Sequence, residues 1–237
     1  MMSFDQSSYS VRCEWGEKGV SLLAPVSDVV IIVDVLSFST AVEIATSRGG
    51  IIYPYGWRDD SACSFAESVD AEVAGKTNPN GYSLSPSSLL EIASGKRLVL
   101  PSPNGSQLSL MSGTVVTIAG CLRNCQAVAE SALRKGTNIA VVPAGERWPD
   151  KSLRPCFEDL VGAGAVIRWL RGTLSPEAIV ALAAFQRAAS DLSDLIKRCS
   201  SGREKIAKGD EADLALASAL NKSDCVPLLT NRAYRRE

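Results

Sequence analysis

The sequence has 237 residues and a mass of 25.1 kDa, with 46% apolar and 22% charged residues and a net charge of −1 from 25 Lys and Arg against 26 Asp and Glu. That balance fits one large α/β domain or two small ones around a buried core, and excludes a disordered chain, a disulfide-stapled miniprotein and a strongly basic nucleic-acid surface. Histidine is absent, which excludes Ser-His-Asp triads, phosphohistidine chemistry, HExxH zinc sites and Cys-His thiol hydrolases and leaves carboxylates, hydroxyls, amides, Arg, Lys, thiols or a bound metal to carry any reaction.

The opening MMSFDQSSYSVRCEWG is polar and mixed in charge, and no apolar run approaches the roughly 18 residues of a membrane span. The cysteines Cys13, Cys63, Cys121, Cys125, Cys156, Cys199 and Cys225 are scattered, with no CxxC pair. Together these features lead us to expect a cytoplasmic protein whose thiols are mostly buried and reduced.

Short β-branched runs then alternate with helical stretches. Strands are predicted at Val11 to Trp15, Val29 to Val35, Ile51 to Tyr55, Arg97 to Leu100, Thr114 to Ala119 and Asn138 to Val142. Several are apolar throughout, as strands buried on both faces are. Thr40 and Glu43 have capping-box spacing, Ser85-Pro86 reads as a second helix start with Ser88 and Glu91 as an alternative box, and Ser175-Pro176 and Ser201 with Glu204 open later helices. No strand is predicted after about Pro155. The expectation is an α/β core to about residue 170 and a helical C-terminal portion. The 75–88 loop, GKTNPNGYSLSPSS, is the longest aperiodic stretch, a length that is often functional.

Candidate chemistry gathers where strands end, since open α/β sheets bind ligands beyond the carboxyl ends of their strands. Asp34 closes VVIIVDV; a haloacid-dehalogenase-type DxDx[TV] motif is excluded because Leu36 stands where the second acid belongs. Asn104, Gly105 and Ser106 lie between a strand and a helix, where amides can hold an anion. Arg123 and Asn124 occupy the corresponding position after the next strand. Glu158 and Asp159 begin a helix that is expected to run through Trp169, with Gly162 and Gly164 allowing close packing. With Asp34 they offer the hard oxygen ligands that Mg²⁺ prefers. There is no Walker loop, no GxGxxG fingerprint (Ile167 takes the third glycine position) and no CxxxxxR phosphate loop.

In order and spacing, the segments VVIIVDVLSFSTAVEIA, GYSLSPSSL, LPSPNGS, GCLRNCQAVAE, VVPAGERW with CFEDLVGAGAVI, and SGREKIAKGDEADLALASALNKSDCVPLL resemble the 2-phosphosulfolactate phosphatase family (ComB) over about Val29 to Leu229. The resemblance implies a three-layer α/β/α architecture in a single domain over 1–237, with room for a helical subdomain after about residue 170. It implies Mg²⁺-dependent hydrolysis of (2R)-2-phospho-3-sulfolactate to 3-sulfolactate and phosphate, a step of coenzyme M biosynthesis. The family's DVLRATT pattern falls on Asp34, Ser39 and Thr40, with Ser37 where Arg is usual. Its TTNGT falls on Ser102 to Ser106, its LNA on Arg123-Asn124-Cys125, its LED on Phe157-Glu158-Asp159 and its SGRE on Ser201 to Glu204. Its GER and GNSP region departs most, as AGKTNPNGYSLSP, so Lys76 and Asn80 take no assigned role.

The roles so implied are Asp34, Glu158 and Asp159 as catalytic residues and metal ligands, Asn104, Gly105, Ser106 and Asn124 on the phosphate, Ser39 and Thr40 among the substrate-binding residues, and Arg123 and Arg203 on the sulfonate or carboxylate. The partner is a small anionic phosphoester, with neither nucleic acid nor membrane, and self-association is the prior for an enzyme of this class. Two other readings stay open: a phosphatase for another small phosphorylated acid, and a non-catalytic protein that binds an anionic metabolite.

Overall fold

A computed structural model describes residues 4–56, 60–75, 78 and 80–237; the loop residue Lys76 lies outside them. The strands are β1 Val11–Cys13, β2 Val29–Val33, β3 Ile51–Tyr55, β4 Glu72–Val73, β5 Arg97–Pro101, β6 Val116–Gly120, β7 Ile139–Pro143, β8 Glu146–Arg147, β9 Leu153–Arg154, β10 Pro227–Thr230 and β11 Ala233–Arg236. The helices are α1 Gly16–Leu23, α2 Phe38–Ser47, α3 Ser61–Ser68, α4 Gly105–Met111, α5 Cys125–Lys135, α6 Phe157–Ile167, α7 Pro176–Ala188, α8 Leu192–Arg198, α9 Ser200–Ala207 and α10 Glu211–Ala217. All six predicted strands form, within a few residues of their expected bounds.

The protein is an α/β fold with helices on both faces of its sheet. Along β2, Val29, Ile31 and Val33 enter one apolar cluster with residues of α5, α6 and α7, while Val30 and Ile32 enter another with residues of α1 and α4. β7 divides its side chains the same way. That two-faced burial explains why these strands read as unbroken apolar runs. α6 lies close below the sheet and against α7: a Cβ on Gly162 would stand 2.6 Å from Val35 Cγ2, and one on Gly164 would stand 2.0 Å from the Ala181 carbonyl oxygen.

Among the described residues the main sheet has the order β1-β7-β2-β6-β10-β11-β3-β5-β4. β1, β7, β2 and β6 are mutually parallel, as are β3, β5 and β4. The antiparallel hairpin β10–β11 joins the two blocks, pairing antiparallel with β6 on one side and with β3 on the other. The expectation of a purely helical C-terminal portion is therefore corrected. β10 and β11 are only four residues each, and their two-residue connection, Asn231-Arg232, has both φ values in the left-handed region (51 and 63) without the Asn-Gly signature of such turns. Tyr234 of β11 is nonetheless fully buried, its hydroxyl 2.7 Å from Ser109 Oγ.

Helix starts were less legible than strands. Ser175 caps α7 as expected, accepting from the Ala178 amide at 3.1 Å. Thr40, by contrast, lies inside α2 and donates back to the Val35 carbonyl at 2.8 Å, so the capping box with Glu43 does not form. The Ser85-Pro86 start yields one 3-10 turn, Pro86–Leu89, and Ser88 Oγ donates to the Ser85 carbonyl instead of capping a helix with Glu91. α9 begins two residues early, with Cys199 as its cap in place of Ser201. α6 stops at Ile167, short of Trp169. The far end of the 75–88 loop is pinned to α10, where buried Asp213 accepts from Ser85 Oγ at 2.7 Å and from the Ser87 amide at 3.0 Å.

All seven cysteines are free thiols; Cys63 is exposed, Cys199 half-buried and the others buried. Among the described residues no helix is long and apolar enough to cross a membrane.

Candidate active site

β2 delivers its chain directly into the site. After Val33 the backbone turns within four residues into α2, through a cis Leu36–Ser37 peptide, and Asp34 sits in that turn with its side chain buried. Its Oδ1 accepts from the Phe38 amide at 3.1 Å, and its Oδ2 from the Gly105 amide at 2.9 Å. One carboxylate thereby ties the start of α2 to the start of α4. Only glycine fits at 105, because a Cβ there would lie 2.2 Å from Phe38 Cδ1 and 2.8 Å from Asp34 Oδ2.

Asp159, in the first turn of α6, performs the matching tie. Its Oδ1 accepts from the Val35 amide and its Oδ2 from the Gly145 amide, both at 2.8 Å, so it joins the residues that follow β2 and β7. Gly145 needs its residue type too, with φ +69 and the Arg154 carbonyl 2.9 Å from where a Cβ would be. Glu158, beside it, is 2% exposed and receives the Cys199 thiol on Oε2 at 3.3 Å.

A fourth acid belongs to the group. Glu146 begins β8 just beyond β7, and its Oε2 accepts from Asn104 Nδ2 at 2.8 Å. No role was assigned to it from the sequence, although it obeys the strand-end rule that singled out Asp34: VVP is the end of a buried strand and Glu146 follows three residues later.

The electrostatics show that these acids share one environment. Burial raises the Asp34 carboxyl to about 7, helped by the nearby charges of Glu146 and Glu158. Burial also raises Asp159, with Asp34 and then Glu158 adding to the effect. Among the described residues none of the four acids forms an ion pair with Lys or Arg. Such a set is short of positive charge, and buried carboxylates without a cation are costly.

The donor set suits a hard divalent cation by type, being carboxylate oxygen throughout. Each Asp oxygen accepts one amide proton and keeps a second lone pair for another bond. The acids share the site without forming a finished cage: among the described residues no three acidic or cysteine side chains are grouped closely enough to hold an ion as they stand.

The residues expected to bind anions divide clearly. Ser39 Oγ donates to the Ile32 carbonyl at 3.1 Å and accepts from the Asp34 amide at 3.0 Å; Thr40 is committed to Val35, as above; Ser106 Oγ donates to the Leu100 carbonyl at 2.8 Å. Asn124 spends its side chain on the Cys121 amide and on the Ala119 and Cys225 carbonyls. These four brace the strand ends from within. Gly105 gives its amide to Asp34 and Asn104 gives its side-chain amide to Glu146, so both belong to the acid group directly.

Arg123 is turned elsewhere. Its Nε pairs with fully buried Glu43 at 2.5 Å and its Nη1 reaches the Leu216 carbonyl at 3.3 Å. A buried carboxylate thus already claims the charge that was expected to meet an anion. Arg203 is exposed on α9, one turn after the Cys199 cap, and Asn80 bonds Glu72 at 3.0 Å.

A small cavity of about 160 Å³ opens beside Glu146. Asn104 and Glu146 line it together with Lys18 of α1 and Arg147 and Leu153 of the β8–β9 hairpin. The arrangement is a cluster of acids rich in carboxylate oxygen, with Glu146 at the edge of the recess.

The chain matches the 2-phosphosulpholactate phosphatase family over residues 20–232. It is 29% identical over 226 residues to a probable 2-phosphosulfolactate phosphatase of Thermotoga petrophila, covering 90% of this chain and 96% of that protein. A 2-phosphosulfolactate phosphatase of Methanothermobacter thermautotrophicus is 29% identical over 207 residues, 85% of this chain and 87% of its own. A probable 2-phosphosulfolactate phosphatase of Synechococcus sp. is 32% identical over 139 residues, 56% of each chain.

Proposed function

The chain belongs to the 2-phosphosulfolactate phosphatase family, and from that membership we propose that it hydrolyses 2-phosphosulfolactate to 3-sulfolactate and inorganic phosphate with Mg²⁺ as cofactor, in the cytoplasm, as the step known from coenzyme M biosynthesis. The observation that carries the reading is the group of buried Asp34, Glu158 and Asp159 with half-buried Glu146, held at the ends of β2 and β7 and the start of α6 without a basic partner among the described residues.

In this reading Asp34, Glu158 and Asp159 hold the metal, and Glu146 joins them. Bound there, Mg²⁺ supplies the positive charge that lets a phosphoryl group enter among carboxylates and that polarises its oxygens. The protein's part is positioning and electrostatics, which is most of what phosphoryl transfer requires. Water adds to phosphorus, the ester P–O bond breaks, and the sulfolactate oxygen leaves with a proton. The amides of Phe38, Gly105, Val35 and Gly145 fix both Asp carboxylates, so the acids do not reorganise as charge builds. Asn104 fixes Glu146, and Cys199 abuts Glu158.

The decisive experiment is phosphate release from 2-phosphosulfolactate by purified protein with Mg²⁺ and with EDTA, repeated on Glu158→Gln. We expect turnover that needs the metal and drops in the variant. Full activity in EDTA overturns the metal assignment, and full activity in Glu158→Gln overturns the role of that acid. Ser37, where the family pattern has Arg, makes a panel of small phosphorylated acids the natural companion assay.

A further inference from the structure

The anion-binding groups expected from sequence are almost all bonded within the fold, which raises the question of what recognises the rest of a polyanionic substrate. The recess beside Glu146 supplies a charged group. Lys18, in the first turn of α1, lines the same cavity as Asn104 and Glu146 and is exposed. Arg147 lines it too but is already engaged, pairing with Glu17 and donating to the Lys151 carbonyl at 3.2 Å. Arg154, nearby on β9, lies over the Trp148 ring and donates to Ser201 Oγ at 3.1 Å. Lys18 has neither an ion pair nor a side-chain hydrogen bond among the described residues, and it is the uncommitted cation of this cavity.

We infer that Lys18 is a specificity-determining residue that binds the substrate's second anionic group, the sulfonate or carboxylate that is not the phosphoryl group being removed. The inference rests on the phosphatase reading above. Its physical basis is charge placement: a second acid group brought into the recess beside Glu146 is repelled unless a cation meets it within a few ångströms. A lysine suits that task, since its ammonium is a point charge with three donors on a flexible stem. The cavity of about 160 Å³ is smaller than the roughly 300–1,000 Å³ of sites for drug-sized ligands, so it favours a small organic acid over a nucleotide or peptide. Lys18 also precedes residue 20, where the family match begins, so family membership does not speak for it.

The test uses Lys18→Gln and Lys18→Arg in the full chain, with two readouts. Steady-state kinetics compare 2-phosphosulfolactate with its analogues lacking the sulfonate or the carboxylate, and calorimetry measures binding of 3-sulfolactate. We expect Lys18→Gln to raise KM for 2-phosphosulfolactate about tenfold with a smaller effect on kcat, to weaken 3-sulfolactate binding about tenfold, and to be largely rescued by Lys18→Arg. The analogue whose kinetics are least affected identifies the group that Lys18 holds, because it lacks that group. An equal loss on all three esters, or unchanged 3-sulfolactate affinity, overturns the inference. If wild-type protein hydrolyses 2-phosphosulfolactate while Lys18→Gln binds 3-sulfolactate normally, this inference fails and the phosphatase reading stands. If wild-type protein releases no phosphate yet binds 3-sulfolactate through Lys18, the reading fails and the binding site stands.

Discussion

The backbone amide of Gly105 donates to Asp34 Oδ2 at 2.9 Å, so a residue that follows β5 in one parallel block holds a carboxylate that follows β2 in the other. The acid group is thus assembled across the fold, and its weakest tolerance is at that glycine. Gly105→Ala would place a methyl 2.2 Å from Phe38 Cδ1 and 2.8 Å from the carboxylate. The expected cost is about 1–3 kcal/mol of stability, with loss of activity beyond what unfolding explains, because Asp34 is displaced. Urea titration and phosphate release on the same preparation check this; wild-type values for both would show that the contact is soft.

Glu146→Gln should reduce turnover about 10–100-fold while leaving the fold intact, since the amide keeps the shape and removes one negative charge from the group. Asn104→Ala should have a smaller effect in the same direction by freeing Glu146. Kinetics over a range of Mg²⁺ concentrations, with melting curves as the control, decide it. A Glu146→Gln enzyme with unaltered metal dependence would remove Glu146 from the site.

The pH dependence of stability has a definite sign. In the unfolded chain Asp34 ionises near 4, whereas in the folded protein burial beside Glu146 and Glu158 holds it at about 7. Between those values the folded state binds more protons than the unfolded one, so this contribution to stability is lost as pH rises through the window. In EDTA the melting temperature should fall from about pH 5 to about pH 7, with a shallower slope in Asp34→Asn and a rise on adding Mg²⁺ near pH 7. Scanning fluorimetry across that range would contradict the assignment by showing the same slope in both proteins.

Arg123→Ala should act on stability, not on substrate affinity. It leaves fully buried Glu43 without its cation, and Glu43 Oε1 has no hydrogen-bond partner to fall back on. Breaking such a pair from one side costs about 3–5 kcal/mol. Denaturation should show that loss, and KM of the protein that remains folded should match wild type; a raised KM at wild-type stability would return Arg123 to the substrate site.

What the sequence revealed follows from what is local. β2 and β7 were legible because burial on both faces leaves a run of β-branched residues that no helix period imitates. Asp34, Glu158 and Asp159 were legible as acids at strand and helix ends, and the structure does bring them into one neighbourhood. The competition for hydrogen bonds was not legible. Ser39, Thr40, Ser106 and Asn124 are typical anion donors by residue type, yet each sits near a strand end with a backbone carbonyl within reach, and the backbone claims it. The Arg123 ion pair was hidden for the same reason, since Glu43 is distant in sequence and adjacent in space. β10 and β11 escaped notice because four-residue strands owe their form to their neighbours, Ile118 and Ile52, and carry little signal of their own.

The placement of β10–β11 between the two parallel blocks has a consequence for biosynthesis. Among the described residues the blocks share no sheet hydrogen bonds except through this hairpin, which occupies 227–236. A chain emerging from the ribosome can build each block as its strands appear, but it cannot bridge them until residues 227–236 are free. The carboxylate of one block and the glycine amide of the other therefore gain their full support late, and a nascent chain lacking the hairpin is two half-sheets with exposed edges, open to mispairing and to capture by chaperones.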